Sequence, residues 1–247
     1  MNRAIVIDNL TVTYDQHPAV HHLSATFDAG TLTSLIGPNG SGKTTLLQTI
    51  AGLRTPNEGS VTLQGFTVKD IGYLPQQDQI DKTFPVVVLD LVASGLWRST
   101  GPFARFTRKH IETVEVALAK VGLCGFEHRM IDSLSGGQFQ RMLFARLIVQ
   151  DSPVLLLDEP FNAIDEKTSA ELLSLIDHWH GEARTILIVT HDVELARQRF
   201  PHTLLMARDL IACGNSQDVL TADNIKRARQ MNEPFDDTSG LCLRDAA

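Results

Sequence analysis

The sequence predicts an α/β fold with a mostly parallel sheet, an N-terminal antiparallel β region and an inserted helical subdomain. Two unbroken apolar runs, 154–157 and 186–189, indicate the parallel sheet, because strands that are buried on both faces lack polar alternation. Between these runs Asp165 can cap a helix, and strand, helix and strand in this order are the α/β alternation. The apolar residues on one face of this helix are Leu172, Leu173, Ile176 and Trp179.

Two changes of pattern predict the other elements. The opening third contains short runs rich in Val, Ile, Thr and Leu, separated by turn residues, which predicts a compact β region. These runs are residues 4–10, 23–27, 31–36 and 60–63. From 86 to 150 the apolar residues recur at helical spacing, so this segment is predicted to be mostly helical, with an amphipathic helix over 139–150.

The domain organisation follows from the same patterns. We expect one domain over residues 1–230, in which 77–150 form a helical subdomain inserted into a core lobe of 1–76 and 151–230. The last residues, 231–247, hold four acids, a proline and small polar residues. We therefore expect them to form a flexible acidic tail.

Length and composition exclude several classes of protein. The chain has 247 residues, of which 43% are hydrophobic and 21% charged, which excludes disordered and fibrous proteins. The longest stretch without a charged residue runs from 29 to 42, which is shorter than the ~20 apolar residues of a membrane span. The first residues lack an apolar leader and a cleavage site, so we expect a cytoplasmic protein.

Charge, cysteines and histidines argue against several kinds of binding site. The net charge is −7 and no basic stripe is visible, which argues against a nucleic-acid partner. The cysteines are widely separated and lack CxxC spacing, so neither a disulfide framework nor a thiolate zinc site is expected. The most closely spaced histidines are His17, His21, His22, His178 and His180. They are predicted to lie in turns, strands and helix ends rather than in a metal site.

The strongest local motif is a glycine-rich loop after the apolar run that ends at Ile36. It matches G-x-x-x-x-G-K-[ST] between a predicted strand and a helix, which is the context that a P-loop requires. The alternative is a glycine-rich turn without a ligand. In a P-loop, backbone N–H groups and the helix N-terminus bind phosphates, Lys43 reaches the β- and γ-phosphates, and Thr44 binds Mg²⁺. The predicted nucleotide-binding residues are Gly37, Pro38, Asn39, Gly40, Ser41, Gly42, Lys43, Thr44 and Thr45.

An acidic pair ends the apolar run 154–157. Ligands of open α/β sheets bind at the carboxyl ends of the strands, where Asp158 and Glu159 would stand. Asp158 is predicted to bind Mg²⁺, and Glu159 to polarise the attacking water as a general base. An acid pair that merely caps a helix is the alternative, but the upstream P-loop favours the functional interpretation.

A third motif distinguishes among P-loop proteins. A serine and two glycines at the start of a helix form an uncharged anion-binding terminus, although an ordinary helix cap has the same residues. The motif comprises Ser135, Gly136, Gly137 and Gln138. Here the sequence resembles the ATP-binding subunits of ABC transporters, and the resemblance implies that this signature completes the nucleotide site of the opposite protomer.

The other motifs of that family follow in order over residues 5–219. The resemblance implies that Tyr14 stacks on adenine, that Gln76 contacts Mg²⁺ and water, and that His191 contacts the γ-phosphate. It also implies that 162–165 contact the partner subunit. Asn and Ile stand in this last loop where the commoner form has Ser and Leu.

A finer resemblance, to the ATPases of zinc, manganese and iron importers, lies between Gly72 and Gly95 and in the residues after the signature. It implies that this segment receives a helix of an integral membrane permease, and that a separate extracytoplasmic protein binds the metal. The chain would then act as a homodimer with ATP between its protomers, peripheral to the cytoplasmic face of the inner membrane.

Other functions stay open at this stage. An ABC subunit for another substrate, or an exporter, has the same motifs. A soluble ABC-type ATPase that acts on nucleic acid or the ribosome usually carries two cassettes or a long coiled coil, neither of which is visible here. A P-loop kinase could use Asp158 for Mg²⁺, but it would leave the signature and His191 without a role.

Overall fold

The computed structural model describes residues 3–15, 17–101 and 105–231. The strands in this part of the chain are β1 (Ala4–Tyr14), β2 (His17–Asp28), β3 (Leu32–Ile36), β4 (Glu58–Gln64), β5 (Ile71–Leu74), β6 (Val154–Asp158), β7 (Thr185–Val189), β8 (His202–Ala207) and β9 (Asp209–Asn215). The α-helices are α1 (Lys43–Ile50), α2 (Val88–Ala93), α3 (Trp97–Thr100), α4 (Arg108–Lys120), α5 (Gly136–Gln150), α6 (Glu166–Gly181), α7 (Val193–Arg199), α8 (Ser216–Val219) and α9 (Ala222–Met231).

The larger sheet has six strands in the order β5-β6-β7-β3-β8-β9. Every pairing in it is parallel except that of β8 with β9. Both β6 and β7 are buried at all five positions, which agrees with their unbroken apolar sequences. The predicted α/β class with a mostly parallel sheet is therefore confirmed.

The smaller sheet is antiparallel, in the order β2-β1-β4, as predicted for the N-terminal region. Its strands are longer than predicted, because β1 continues beyond residue 10 to Tyr14. The register shifts between Ile7 and Leu10, where Asn9 has a φ of 47°. A bulge at this point lets two polar residues enter the strand without turning its buried face outward.

Alternate residues of the central strands enter two hydrophobic cores. Val154 and Leu156 of β6 pack in one core with α1 and the smaller sheet. Leu155 and Leu157 of the same strand pack in the other core with Phe144 and the helical segment. The larger sheet therefore separates the two cores, and α1 packs between the two sheets.

The helical segment between β5 and β6 comprises α2 to α5 and their connections. α5 lies at its centre and packs on α2 and α4. It begins at Gly136, three residues before the predicted start, because Ser135 caps it and accepts a hydrogen bond from the Gln138 amide. This segment coincides with much of the predicted helical subdomain, whose division from the core lobe stays a prediction.

Three further observations concern the sequence predictions. None of the helices between residues 3 and 231 is long and apolar enough to cross a membrane. Cys124 and Cys213 are free thiols, whereas Cys242 lies outside the described residues. Met231, the first residue of the predicted tail, ends α9, and residues 232–247 lie outside the described residues.

Candidate functional site

The P-loop connects the end of β3 to the start of α1. Gly42 precedes the helix with a φ of 92°, a left-handed conformation that is strained for other residues. A Cβ on Gly42 would overlap the carbonyl oxygen of Ala19, and one on Gly37 would overlap that of Met206. The loop therefore lies directly against β2 and β8, at the carboxyl end of the larger sheet.

Lys43 is folded back onto this loop. Its Nζ donates hydrogen bonds to the carbonyl oxygens of Gly37, at 2.9 Å, and Pro38, at 2.8 Å. Burial lowers the pKa of the lysine, while the nearby carboxylates of Glu159 and Asp158 oppose this shift. The lysine thus places a positive charge, held by neutral carbonyl groups, at the centre of the loop.

Asp158 ends β6 and is fully buried. Burial is the main cause that raises the pKa of this carboxyl to about 6, although the Thr44 hydroxyl and Lys43 favour the ionised form. Neither of its carboxylate oxygens forms a hydrogen bond of standard distance and angle within the described part of the chain. Two buried oxygens without such partners are costly, and they mark this carboxyl as a candidate ligand for a cation.

Glu159 stands at a strained position beside the loop. Its backbone has a φ of 48°, and its amide donates to the Val189 carbonyl oxygen at 3.2 Å. Its side chain accepts a hydrogen bond from Asn162 at 3.4 Å. A left-handed glutamate persists only where the surrounding structure enforces it, and such strain is typical of functional sites.

A cavity of about 760 Å³ brings most of the predicted residues together. Its lining comprises Tyr14, Ala19, Asn39, Gly40, Ser41, Gly42, Lys43, Thr44, Thr45, Gln76, Glu159, Asn162 and His191. Gly37, Pro38 and Asp158 do not line it, since Lys43 covers the two carbonyl groups and Asp158 is buried. The residues that meet here come from five separate segments of the sequence.

The signature residues lie elsewhere. Ser135, Gly137 and Gln138 line a separate cavity of about 530 Å³ together with Arg141 and Asp165. Ser135 and Gln138 form a capping box, in which each side chain accepts a hydrogen bond from the backbone amide of the other. A single chain therefore carries a P-loop cavity and a signature cavity that are distinct.

Sequence patterns missed two side chains next to the predicted site. The guanidinium of Arg54 lies over the Tyr14 ring, 4.1 Å from its centroid. Gln77, the neighbour of Gln76, donates to the buried Gln140 side chain at 2.7 Å and to the Gly136 carbonyl oxygen at 3.4 Å. The position of Gln77 beside the predicted Gln76 was a usable signal, whereas no sequence pattern indicates the contact of Arg54.

The histidines do not assemble a metal centre in the described ranges. No group of three His, Cys, Asp or Glu side chains there could hold a metal ion. His21 instead forms a hydrogen bond with the Asp209 side chain at 2.8 Å, and His22 forms one with the Asn9 side chain at 2.9 Å. Both contacts join strands to neighbouring segments.

Comparison with known proteins places the chain in a family. The ABC transporter family model matches residues 20–162. The manganese transport system ATP-binding protein MntA of Synechocystis sp. is 36% identical over 229 residues, which are 90% of this chain and 88% of the relative. MntB, a manganese transport system ATP-binding protein of Bacillus subtilis, is 35% identical over 90% of this chain and 91% of the relative. The zinc transport system ATP-binding protein TroB of Treponema pallidum is 34% identical over 91% of this chain and 86% of the relative.

Solved structures agree with this result. An ABC transporter assigned to the metal-chelate type, in an inward-facing conformation, superposes with a TM-score of 0.81 at 28% identity, covering 93% of this chain and 90% of that one. A dimeric bacterial ABC transporter cassette has a TM-score of 0.75 at 25% identity, with 86% and 98% of the two chains covered. The chain therefore belongs to the ABC transporter family, as one of its ATP-binding, ATP-hydrolysing subunits.

Proposed function

We propose that this chain hydrolyses ATP to energise the import of a divalent metal, manganese or zinc, through a membrane permease. Its similarity along 90% of its length to ATP-binding proteins of manganese transport systems carries the proposal. A zinc transport relative has nearly the same sequence identity to the chain, so the proposal includes both metals. The metal itself need not touch the chain, because a separate extracytoplasmic protein and the permease would carry it.

The P-loop cavity is the proposed ATP site. Backbone amides of the loop and the N-terminus of α1 would bind the phosphates, and Lys43 would exchange its two carbonyl partners for phosphate oxygens. This exchange strengthens binding because a buried ammonium gains anionic partners. Tyr14 borders the same cavity and is 42% exposed, which leaves part of its ring free for the adenine base.

The residues next to Lys43 suit Mg²⁺. Thr44, Gln76 and Asp158 offer a hydroxyl, an amide and a carboxylate, and hard cations prefer such oxygen ligands. The two Asp158 oxygens without full hydrogen bonds fit this role. When bound, Mg²⁺ would offset the charge of the phosphates.

Glu159 and His191 are the proposed catalytic pair. The oxygen of a water molecule would attack the γ-phosphorus while its proton passes to the Glu159 carboxylate, and the bond from the γ-phosphorus to the β,γ-bridging oxygen breaks. The His191 side chain would contact the γ-phosphate, and Gln76 would position the water. All three residues line the cavity that holds Lys43.

A second protomer would complete each site. Ser135, Gly136, Gly137 and Gln138 would bind the ATP held by the partner's P-loop, in a homodimer with two ATP molecules between the protomers. The separation of the two cavities within one chain supports this arrangement. The permease would dock on the helical subdomain and on the segment after Gln76, and the chain would lie on the cytoplasmic face of the membrane. We propose no nucleic-acid partner.

Substitution of Lys43 tests the nucleotide site directly. Lys43→Ala removes the ammonium at the loop, so nucleotide binding measured by calorimetry should be abolished, while the exposed Lys69→Ala should bind like the unchanged chain. Tight ATP binding by Lys43→Ala would contradict the assignment. A second experiment identifies the cargo. It measures the uptake of radioactive manganese or zinc by cells that carry the chain with its permease, and compares it with the uptake by cells that carry the Glu159→Gln variant.

A further inference from the structure

We infer that Arg54 is a positioning residue for the adenine base, acting through the Tyr14 ring that it covers. The inference rests on the proposed ATP site and extends it to a side chain outside the nucleotide cavity. Its central observation is the cation–π contact, in which the guanidinium carbon lies 4.1 Å from the ring centroid. An arginine this close to an aromatic face is attracted by the negative charge of the π system.

The contact holds Arg54 even though its hydrogen bonding is incomplete. The Nε atom of Arg54 is buried and lacks a hydrogen-bond partner in the described chain. Leaving a buried polar donor unpaired is unfavourable, and the attraction of the guanidinium to the ring acts against this cost. On its other side the Tyr14 hydroxyl lies 3.3 Å from the hydroxyl of Thr45 in α1. The ring is therefore restrained both at its face and at its edge.

The backbone around Arg54 is fixed to the strand that carries Tyr14. Asn57 accepts a hydrogen bond from the Thr13 amide at 2.8 Å through its side chain. Its own amide donates to the Thr11 carbonyl oxygen at 2.9 Å. At the other end of the loop, the Leu53 amide donates to the Gln48 carbonyl oxygen of α1 at 2.9 Å. The loop thus links the phosphate-binding helix to the end of β1.

Arg54 covers the ring from outside the cavity. Tyr14 is among the residues that line the nucleotide cavity, whereas Arg54 is not. The guanidinium therefore leaves the cavity side of the ring available for a base. A cation on one face draws electron density from the ring and fixes its orientation, and both effects favour stacking of a purine on the remaining surface. The ligand recognised through Arg54 is the adenine base rather than the phosphates.

The test compares ATP with inorganic tripolyphosphate, which lacks the base. In the purified full-length chain, Arg54→Met should raise the Kd for ATP three- to tenfold and leave the Kd for tripolyphosphate unchanged. The KM for ATP should rise by the same factor with kcat within twofold, and Arg54→Lys should restore most of the affinity because it keeps the cation. Arg3→Met is the matched control, since Arg3 stacks on Phe66 at 5.7 Å, outside the nucleotide cavity.

A double substitution separates action through the ring from direct contact with the nucleotide. In a Tyr14→Leu background, Arg54→Met should cause no further loss of ATP affinity. Equal weakening of ATP and tripolyphosphate, an undiminished effect without the ring, or no effect in the single variant would overturn the inference. These results leave the proposed ATP site intact, whereas that site fails if the unchanged chain binds no ATP.

Discussion

At the scale of single residues, the burial of the Asp158 carboxylate lowers the stability of the nucleotide-free chain. Its pKa is about 6 in the folded chain and ~3.9 when unfolded. The unfolded chain therefore loses this proton first as the pH rises, and stability falls between pH ~4 and ~6. Above pH 6 the cost is complete and amounts to about 2–3 kcal/mol. Asp158→Asn should then raise the free energy of unfolding at pH 7 by about that amount.

Denaturant unfolding without nucleotide, repeated from pH 4 to pH 8, measures this effect. The gain from Asp158→Asn should shrink below pH 6 and vanish near pH 4, where the native carboxyl is also neutral. Asp81→Asn is the control, and it should not raise the free energy of unfolding. Hydrogen bonds from Thr83 lower the pKa of Asp81, so their loss cannot stabilise the chain. A gain for Asp158→Asn that does not change with pH would exclude the burial of this charge as its cause.

Residues of the site differ in how far the sequence could predict them. The place of Lys43 and Thr44 in the cavity was predictable because the P-loop motif permits few residue types at those positions. Arg54 was not, because its contact with Tyr14 depends on the path of a loop that Asn57 fixes to β1. The roles taken from motifs, such as that of His191, stay predictions until they are tested by substitution.

At the scale of elements, the start of α1 should respond differently to two glycine substitutions. Gly40 and Gly42 both have left-handed backbones, with φ values of 77° and 92°. A Cβ on Gly40 would meet open space, whereas one on Gly42 would overlap the backbone of Ala19 in β2. Gly40→Ala should therefore lower the free energy of unfolding by about 1 kcal/mol, and Gly42→Ala by about 3–5 kcal/mol. Equal losses in denaturant titrations would contradict the close packing of this loop on β2.

The connection between β5 and α5 allows a second test. Gln77→Ala removes the donor that satisfies the buried Gln140, so the free energy of unfolding should fall by about 1–3 kcal/mol. Gln79, exposed in the same turn Gln77–Gln79, gives the matched control, and Gln79→Ala should change stability by no more than about 0.5 kcal/mol. Chemical denaturation distinguishes the two. Identical effects of the two substitutions would mean that the contact between Gln77 and Gln140 does not add to the free energy of unfolding.

The elements also show where sequence patterns fail. Burial on both faces made β6 predictable almost to its ends, because every residue of it is apolar until Asp158. The predicted end of β1 was wrong because the register shifts again after Leu10, between Leu10 and Val12 and between Val12 and Thr13, and these shifts break the alternation that identifies a strand. The predicted start of α5 was three residues late because two glycines, which are poor helix formers, stand at the start of the helix. The residue that indicates this start is Ser135, which caps it.

At the scale of the whole molecule, the P-loop and the signature occupy distinct cavities, so the chain should associate only when ATP joins one protomer's loop to the other's signature. Glu159→Gln keeps the size of the side chain and removes the proposed base, so bound ATP persists. With Mg-ATP this variant should double its molar mass in light scattering, and it should stay monomeric with ADP. A monomer with ATP bound would refute the composite site.

Gly137→Leu identifies the surface that forms this dimer. A Cβ on Gly137 would make only ordinary contacts, with Asp165 and Thr168 at 3.6 Å, so the substituted chain should still fold. The leucine side chain would, however, occupy space that the partner's ATP needs at the start of α5. Glu159→Gln with Gly137→Leu should therefore bind ATP at its own P-loop and remain a monomer. If the double variant still dimerises, association uses another surface, and the signature must act within its own chain or not at all.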